Sequence, residues 1–212
     1  MDQLTTWAVA LAAKGAAVSS YDIGPPASSE ALALIARASQ RALPAELASI
    51  LTTVTGRIAF FWELDLRKQD PAVPEPLARF GQIGELAFDV QTMAWLRAVD
   101  EVAEDDRYLD ESQVDRLRAS VEFYRTSTGD IFTVDSRNGA VNYLTYESGF
   151  AEAVLLAPSF VEFLERFTSI GCVGPEMWVL ELTLGPFGID PNASLAKDWR
   201  AWMGVSHESR VI

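Results

Sequence analysis

Apolar positions recur at helical spacing through the first part of the chain and at alternate positions through much of the rest. Leu4, Trp7, Ala8 and Leu11 fall on one side of a short amphipathic helix at the N-terminus. Pro25 and Pro26 mark the approach to the next helix, because neither fits inside one. Ser28 or Ser29 caps that helix, and Glu30 lies in its first turn, where a negative charge suits the helix dipole. Leu32, Ile35 and Ala36 share a face. The helix stops near Ala42, ahead of the Leu43-Pro44 step, since the residue before a proline is pushed out of the α region. Pro44 then serves as the first residue of another helix, where its missing N–H is no loss. Leu47, Ile50, Leu51 and Val54 form its apolar face, and Gly56 terminates it.

The period changes over Ile58–Leu66. Phe60, Trp62, Leu64 and Leu66 alternate with Phe61, Glu63 and Asp65, which predicts a strand with one strongly apolar face. Glu63 and Asp65 then share the opposite face, about 7 Å apart at two strand rises. Three prolines make 70–76 a connector, and Gly81 and Gly84 bracket a turn. Met93, Leu96 and Val99 predict a helix over Val90–Ala103. A short helix starts at Asp110 or Ser112 and runs through Val114 and Leu117.

From Val121 the pattern is β. Gly129-Asp130 precedes one strand, IFTVDS, and Asn138-Gly139 links it to AVNYLTYE as a hairpin, because both turn residues tolerate positive φ. Ala151–Leu156 adds a third strand. Pro158 and Ser159 open a helix with Phe160, Phe163, Leu164 and Phe167 inward, ending near Gly171. Glu176–Leu184 fits either state: Trp178, Leu180, Leu182 and Leu184 alternate as in a strand, yet a helix also accommodates them. Asn192 caps a last helix carrying Leu195, Trp199, Trp202 and Met203, closed by Gly204. No internal repeat or domain boundary is visible, so all 212 residues read as one domain.

Composition narrows the function classes. With 49% apolar and 10% aromatic residues, the chain can build a substantial core. Seventeen Lys and Arg against thirty Asp and Glu give a net charge of −13. That argues against nucleic-acid and anionic-membrane binding, which need basic surfaces, and is compatible with a basic protein partner. Glu101, Glu104, Asp105, Asp106, Asp110 and Glu111 form an acidic run relieved only by Arg107. It reads as a solvated loop or as a partner-facing patch. These six residues, with Glu63 and Asp65, are the candidate partner-binding residues. Cys172 stands alone, which excludes an internal disulfide or a cysteine zinc site and suits a small buried apolar residue. No Lys or Arg precedes the apolar positions of the N-terminus, and no apolar run approaches a transmembrane length. A cytoplasmic protein is expected.

Chemistry-bearing motifs are sparse. The single histidine, His207, lies in the tail, and no G-x-S-x-G elbow, Walker loop or H-E-x-x-H motif occurs. Gly81-x-x-Gly84 has the spacing of an RNA-binding KH loop but lacks basic neighbours, so it reads as a turn. Glu63 with Asp65 could do acid–base work or hold a metal, but no nucleophile or further ligand pair stands beside them, and a solvent-facing strand side is the simpler reading. Trp199 and Trp202 would stack a ligand only if exposed, and at helical spacing they read as core. No catalytic residue, cofactor or metal is assigned. A carboxylate-based hydrolase remains a minor alternative.

Taken in order, several of these pieces resemble the SUKH superfamily, which includes the yeast cell-wall assembly regulator domain and many bacterial proteins. The matching positions are Gly24, Pro26, Ser28 or Ser29, Glu30, and Leu43-Pro44 followed by Leu47 and Leu51. Further on they are Gly129-Asp130, Asp135, Asn138-Gly139 and Ala157-Pro158-Ser159-Phe160 with Phe163-Leu164. The resemblance covers Ile23 to Phe167, leaving Met1–Tyr21 and Gly171–Ile212 as additions. Thr55-Gly56 stands where the family often has Asn-Gly, and the stretch between Asp65 and Val121 matches poorly. The resemblance implies an α+β fold, a mostly antiparallel sheet with helices against it. It also implies a non-catalytic immunity protein that binds and neutralises a toxin domain, often a nuclease, of a polymorphic toxin system. An intracellular regulator of the same fold, without a toxin partner, is the alternative.

Overall fold

In this computed structural model, which describes residues 2–39, 42–69, 73, 77–95 and 109–206, the chain opens with α1 (Asp2–Ala13) and β1 (Ala17–Ile23). There follow α2 (Ser29–Ser39), α3 (Ala45–Thr53), β2 (Arg57–Glu63), α4 (Leu77–Phe80), β3 (Ile83–Asp89) and β4 (Ala94–Trp95). Next come α5 (Glu111–Arg118), β5 (Ser120–Arg125), β6 (Ile131–Asp135), β7 (Val141–Leu144), β8 (Ala153–Ala157) and α6 (Phe160–Ser169). The chain closes with α7 (Met177–Leu180), β9 (Leu184–Gly185), β10 (Gly188–Ile189) and α8 (Ser194–Met203). This is the α+β class, with helices packed on antiparallel sheets. Among the described residues, no helix is long and apolar enough to cross a membrane.

The chain folds into two units. The first comprises Met1–Asp22, Ile58–Ala87 and Glu162–Ile212. Its sheet has the order β1-β2-β3. Its core is a tryptophan stack. Trp199 of α8 lies nearly parallel to Trp7 of α1 and to Trp62 of β2, with ring centroids 6.0 Å away in each case. Trp202 continues the stack at 5.5 Å, and Phe80 meets Trp199 edge-on at 6.1 Å. Two indole N–H groups are satisfied by nearby backbone: Trp62 donates to the Gly171 carbonyl at 2.8 Å and Trp199 to that of Ile170 at 3.2 Å. Lys14 sits 4.3 Å above the Trp202 ring. Trp199 is therefore a core side chain, as its spacing suggests, whereas Trp202 is half-buried at the edge of the stack.

The second unit comprises Ile23–Arg57 and Phe88–Val161. Its sheet has the order β4-β5-β6-β7-β8, antiparallel throughout. The Asn138-Gly139 hairpin forms as predicted: Val134 pairs with Val141, and Gly139 takes φ +81°. Asn138 Oδ1 accepts from the Ala140 N–H at 2.9 Å and fixes the turn. Leu47, Ile50 and Leu51 of α3 are buried, and Ser28 Oγ accepts from the Ala31 N–H at 3.2 Å, a cap for α2. The chain returns from α3 under tight backbone ties. Gly56 N–H donates to Pro25 O, and the Thr55 hydroxyl lies 2.8 Å from Gly24 O. Phe123 meets Phe160 edge-on at 5.1 Å and Phe132 at 6.1 Å, and Phe132 meets Tyr143 at 5.1 Å.

Several elements differ from the sequence reading. Gly84 lies within β3 and not in a turn. A Cβ there would collide with the Trp62 indole, so the glycine holds an inward position of the Gly84, Leu86, Phe88 alternation. Its missing side chain hid the period. Ala94–Trp95 is a strand paired with Val121 and Glu122, where a helix over Val90–Ala103 is expected; 96–103 lie outside the described residues. Pairing with β5 outweighs the weak helical period there. The predicted strand Ile58–Leu66 ends at Glu63, and Leu66–Lys68 is a 3₁₀ turn. β1 follows α1 where no strand is predicted, because Ser19, Ser20 and Asp22 mask its alternation. Over Glu176–Leu184 the helical alternative holds as far as Leu180 and continues as a 3₁₀ turn. Ala193, not Asn192, occupies the N-cap position of α8, and it makes no side-chain cap. Pro44 sits at the N-cap of α3, one place before its first residue.

Candidate functional site

The residues of the family-like pattern hold the second unit together. The N–H of Gly24, a buried residue, donates to Arg57 O at 2.9 Å. Pro26 is exposed in the approach to α2, whereas Leu43 is buried beside Pro44. Asp130 is buried, and its carboxylate accepts from the Tyr143 hydroxyl, from Tyr146 N–H at 2.7 Å and from Thr128 Oγ1 at 3.3 Å. The buried Asp135 receives the Arg137 guanidinium, Nη2 at 2.6 Å, and the Arg137 N–H at 2.8 Å. Ser159 is half-buried, and the N–H of Phe160, the first residue of α6, donates to the Glu46 carboxylate at 3.1 Å. Glu46 lies in the first turn of α3, directly after Leu43-Pro44. Two halves of the pattern, far apart in sequence, thus meet through one carboxylate at a helix N-terminus.

The candidate partner-binding acids separate. Glu63 is exposed at the end of β2. Asp65 does not share its strand face. It lies past the strand and caps the 3₁₀ turn, its Oδ1 accepting from Arg67 N–H at 3.2 Å and from Arg67 Nε at 3.1 Å. Lys68 Nζ approaches its other oxygen at 3.2 Å. The side-chain bonds from Arg67 and then Lys68 hold this carboxyl down at about 2. Two cations thus neutralise it locally. Glu101, Glu104, Asp105 and Asp106 lie outside the described residues.

Asp110 and Glu111 open α5. Asp110 is its N-cap in a full capping box: Oδ1 accepts from Gln113 N–H at 2.8 Å, and Gln113 Oε1 accepts from Asp110 N–H at 2.7 Å. The Ser112 hydroxyl, first, and the Gln113 N–H, next, lower the Asp110 carboxyl below its ordinary range. Glu111 lies exposed in the first turn.

What the sequence reading missed is the loop that α5 grips. Arg116 turns inward and gives its Nη2 to the Phe150 and Ala151 carbonyls, and Gln113 Nε2 joins it on Ala151 O at 3.2 Å. Gly149 and Phe150 are consecutive left-handed residues, at φ +61° and +64°. For phenylalanine that backbone is unfavourable. It is held by burial of the ring with Leu117, Ile131 and Leu144. The neighbouring Tyr146 ring is 60% exposed, its backbone N–H pinned by Asp130. With Arg116 directed inward, Asp110, Glu111, Asp115 and Arg118 on α5 and Glu147 and Glu152 on the loop face solvent. The exposed Tyr146 has no periodic signal in sequence. The inward turn of Arg116 has none either, because its partners are carbonyls and not acids.

The first unit has a different exposed feature. Trp178, Leu182 and Phe187 are 53%, 40% and 68% exposed within ten residues of chain. As for reactive chemistry, Cys172 is fully buried and burial pushes its thiol up well above the ordinary value. Among the described residues, no three His, Cys, Asp or Glu side chains come together as metal ligands would. No family model matches the sequence, and no curated protein matches it.

Proposed function

We propose that this chain is a non-catalytic binding module of the SUKH type, an immunity protein that holds and neutralises a basic toxin domain in the bacterial cytoplasm. One observation carries the reading. The guanidinium of Arg116 is spent on loop carbonyls, so α5 and the loop it grips carry an exposed tyrosine and five exposed acids, Asp110, Glu111, Asp115, Glu147 and Glu152, against one exposed cation of α5, Arg118. Acidic groups around an aromatic anchor suit a partner with a basic surface, and a nuclease needs such a surface to hold phosphate. The net charge of −13 speeds encounter with that partner. The α+β class with antiparallel sheets agrees with the fold that the resemblance implies. Asp130 and Asp135, the buried carboxylates of the pattern, are already engaged by Tyr143 and Arg137, which supports a structural role for them.

The test is direct binding to the toxin domain encoded beside the gene. The expected complex inhibits the toxin and weakens with added salt, as screening of exposed charge requires. Tyr146→Ala and Glu147→Lys weaken it without lowering Tm. Absence of a complex, or affinity indifferent to salt, refutes the reading.

A further inference from the structure

Seven large hydrophobic side chains are exposed among the described residues, and three of them, Trp178, Leu182 and Phe187, lie within 178–187. Their backbone is fixed. α7 buries Val179 and Leu180, which leaves Trp178 and, one turn on, Leu182 on the outer side. The Thr183 hydroxyl donates to Leu180 O at 3.0 Å, and Asp190 N–H donates to Thr183 O at 2.7 Å. Phe187 sits in the turn between β9 and β10, closed by Gly185 opposite Gly188. Arg166 Nη1 donates to the Phe187 carbonyl at 2.6 Å, so the backbone is held while the ring projects. Turns favour Gly, Pro, Asn and Asp, so an exposed phenylalanine at this place is not the residue the turn itself asks for.

The charges of this segment have one sign. Residues 176–190 contain Glu176, Glu181 and Asp190 and no Lys or Arg. Arg166, the cation that reaches the hairpin, also bonds Glu162, and Arg200 lies buried opposite Asp190. A twofold contact between copies would bring Glu181 of each copy toward the other's acidic side, where like charges repel. A negatively charged lipid surface would be repelled for the same reason.

We propose that Trp178, Leu182 and Phe187 are a docking surface for a basic amphipathic segment of a protein partner, its apolar stripe on the three side chains and its Lys or Arg residues beside Glu176, Glu181 and Asp190. The rigid backbone makes this a preformed site, with the aromatic residues as its anchors. The proposal is independent of the immunity reading: a chain that binds no toxin still carries this surface.

The experiment uses the full chain and a fluorescein-labelled Leu/Lys amphipathic peptide about five turns long, read by fluorescence anisotropy. Wild type binds it, and a matched Leu/Glu peptide does not bind. The double variant Trp178→Ser with Phe187→Ser raises Kd by about tenfold or more. Glu181→Gln raises it less, and Leu34→Ser, which removes an exposed leucine of the second unit, leaves it unchanged. All variants retain the wild-type Tm, because the altered side chains are exposed. The proposal is overturned if the double variant weakens binding no more than Leu34→Ser does, or if the Leu/Glu peptide binds as tightly. It also falls if sedimentation shows a dimer that Phe187→Ser dissolves, which makes the occupant a second copy. Binding of phosphatidylcholine vesicles that needs Trp178 and Phe187 makes it a membrane surface instead.

Discussion

The six-membered ring of Trp199 occupies the space in which any side chain on Gly81 would begin: a Cβ there would lie well inside the 3.0 Å that real Cβ atoms keep from their neighbours. Trp199 cannot retreat, since Trp7 and Trp62 flank it in the stack. Gly81→Ala is therefore expected to destabilise the chain by about 1–3 kcal/mol through overpacking. Denaturant titration measures it. Trp199→Phe in the same chain restores part of the loss, so the two changes are not additive. Additive losses would show that the clash is relieved elsewhere.

Asp130 organises three donors, and Tyr143 and the Tyr146 backbone both depend on it. Asp130→Ala leaves a buried hydroxyl and an N–H without their acceptor, at a cost of about 2–3 kcal/mol. Asp130→Asn retains an acceptor and loses less. Urea midpoints of the two variants are expected to fall in that order.

Asp65 predicts a pH dependence of definite sign. Its folded carboxyl is depressed to about 2 from 3.8. Its contribution to stability is thus complete above about pH 4 and disappears as pH falls through 2. Asp65→Asn is expected to lower Tm at pH 7 and to match wild type at the acid end. The site is solvent-exposed, so the difference is small. A gap that persists unchanged to pH 2 assigns the effect to something other than the ion pairs with Arg67 and Lys68.

Cys172 is fully buried with a raised pKa. At pH 8 the native chain is expected not to react with a thiol reagent such as dithionitrobenzoate, and to react at a single thiol once denatured. Rapid native labelling would indicate local opening around Val173 and Gly84, which pair as an isolated bridge.

Elements with strong, uninterrupted patterns were legible in the sequence. The α1 stripe of Leu4, Trp7 and Leu11 is buried, as is the α6 stripe of Phe160, Phe163, Leu164 and Phe167, and the Asn138-Gly139 turn forms. Asp110 caps α5, one of the two starts predicted for it. β3 was not legible, because its period depends on a glycine that yields its space to Trp62. Alternation puts Asp65 on a strand face because it says nothing of where a strand stops, and its own carboxylate helps end β2 by capping the turn that follows. The link between Glu46 and Phe160 is a long-range contact that no local pattern encodes. The exposed surfaces share this difficulty. Trp178 and Leu182 carry the same letters as core residues, and only the burial of Val179 and Leu180 shows which side faces water.

The tryptophan stack also sets a schedule for synthesis. The first unit draws on both ends of the chain, and Trp7 and Trp62 await Trp199. At ordinary translation speeds, Trp7 is made roughly 10–40 s before Trp199. Throughout that interval α1 has an apolar side with no α8 to cover it. A chain ending before α8 would lack the indole that Trp7 and Trp62 stack on, and would expose that aromatic surface.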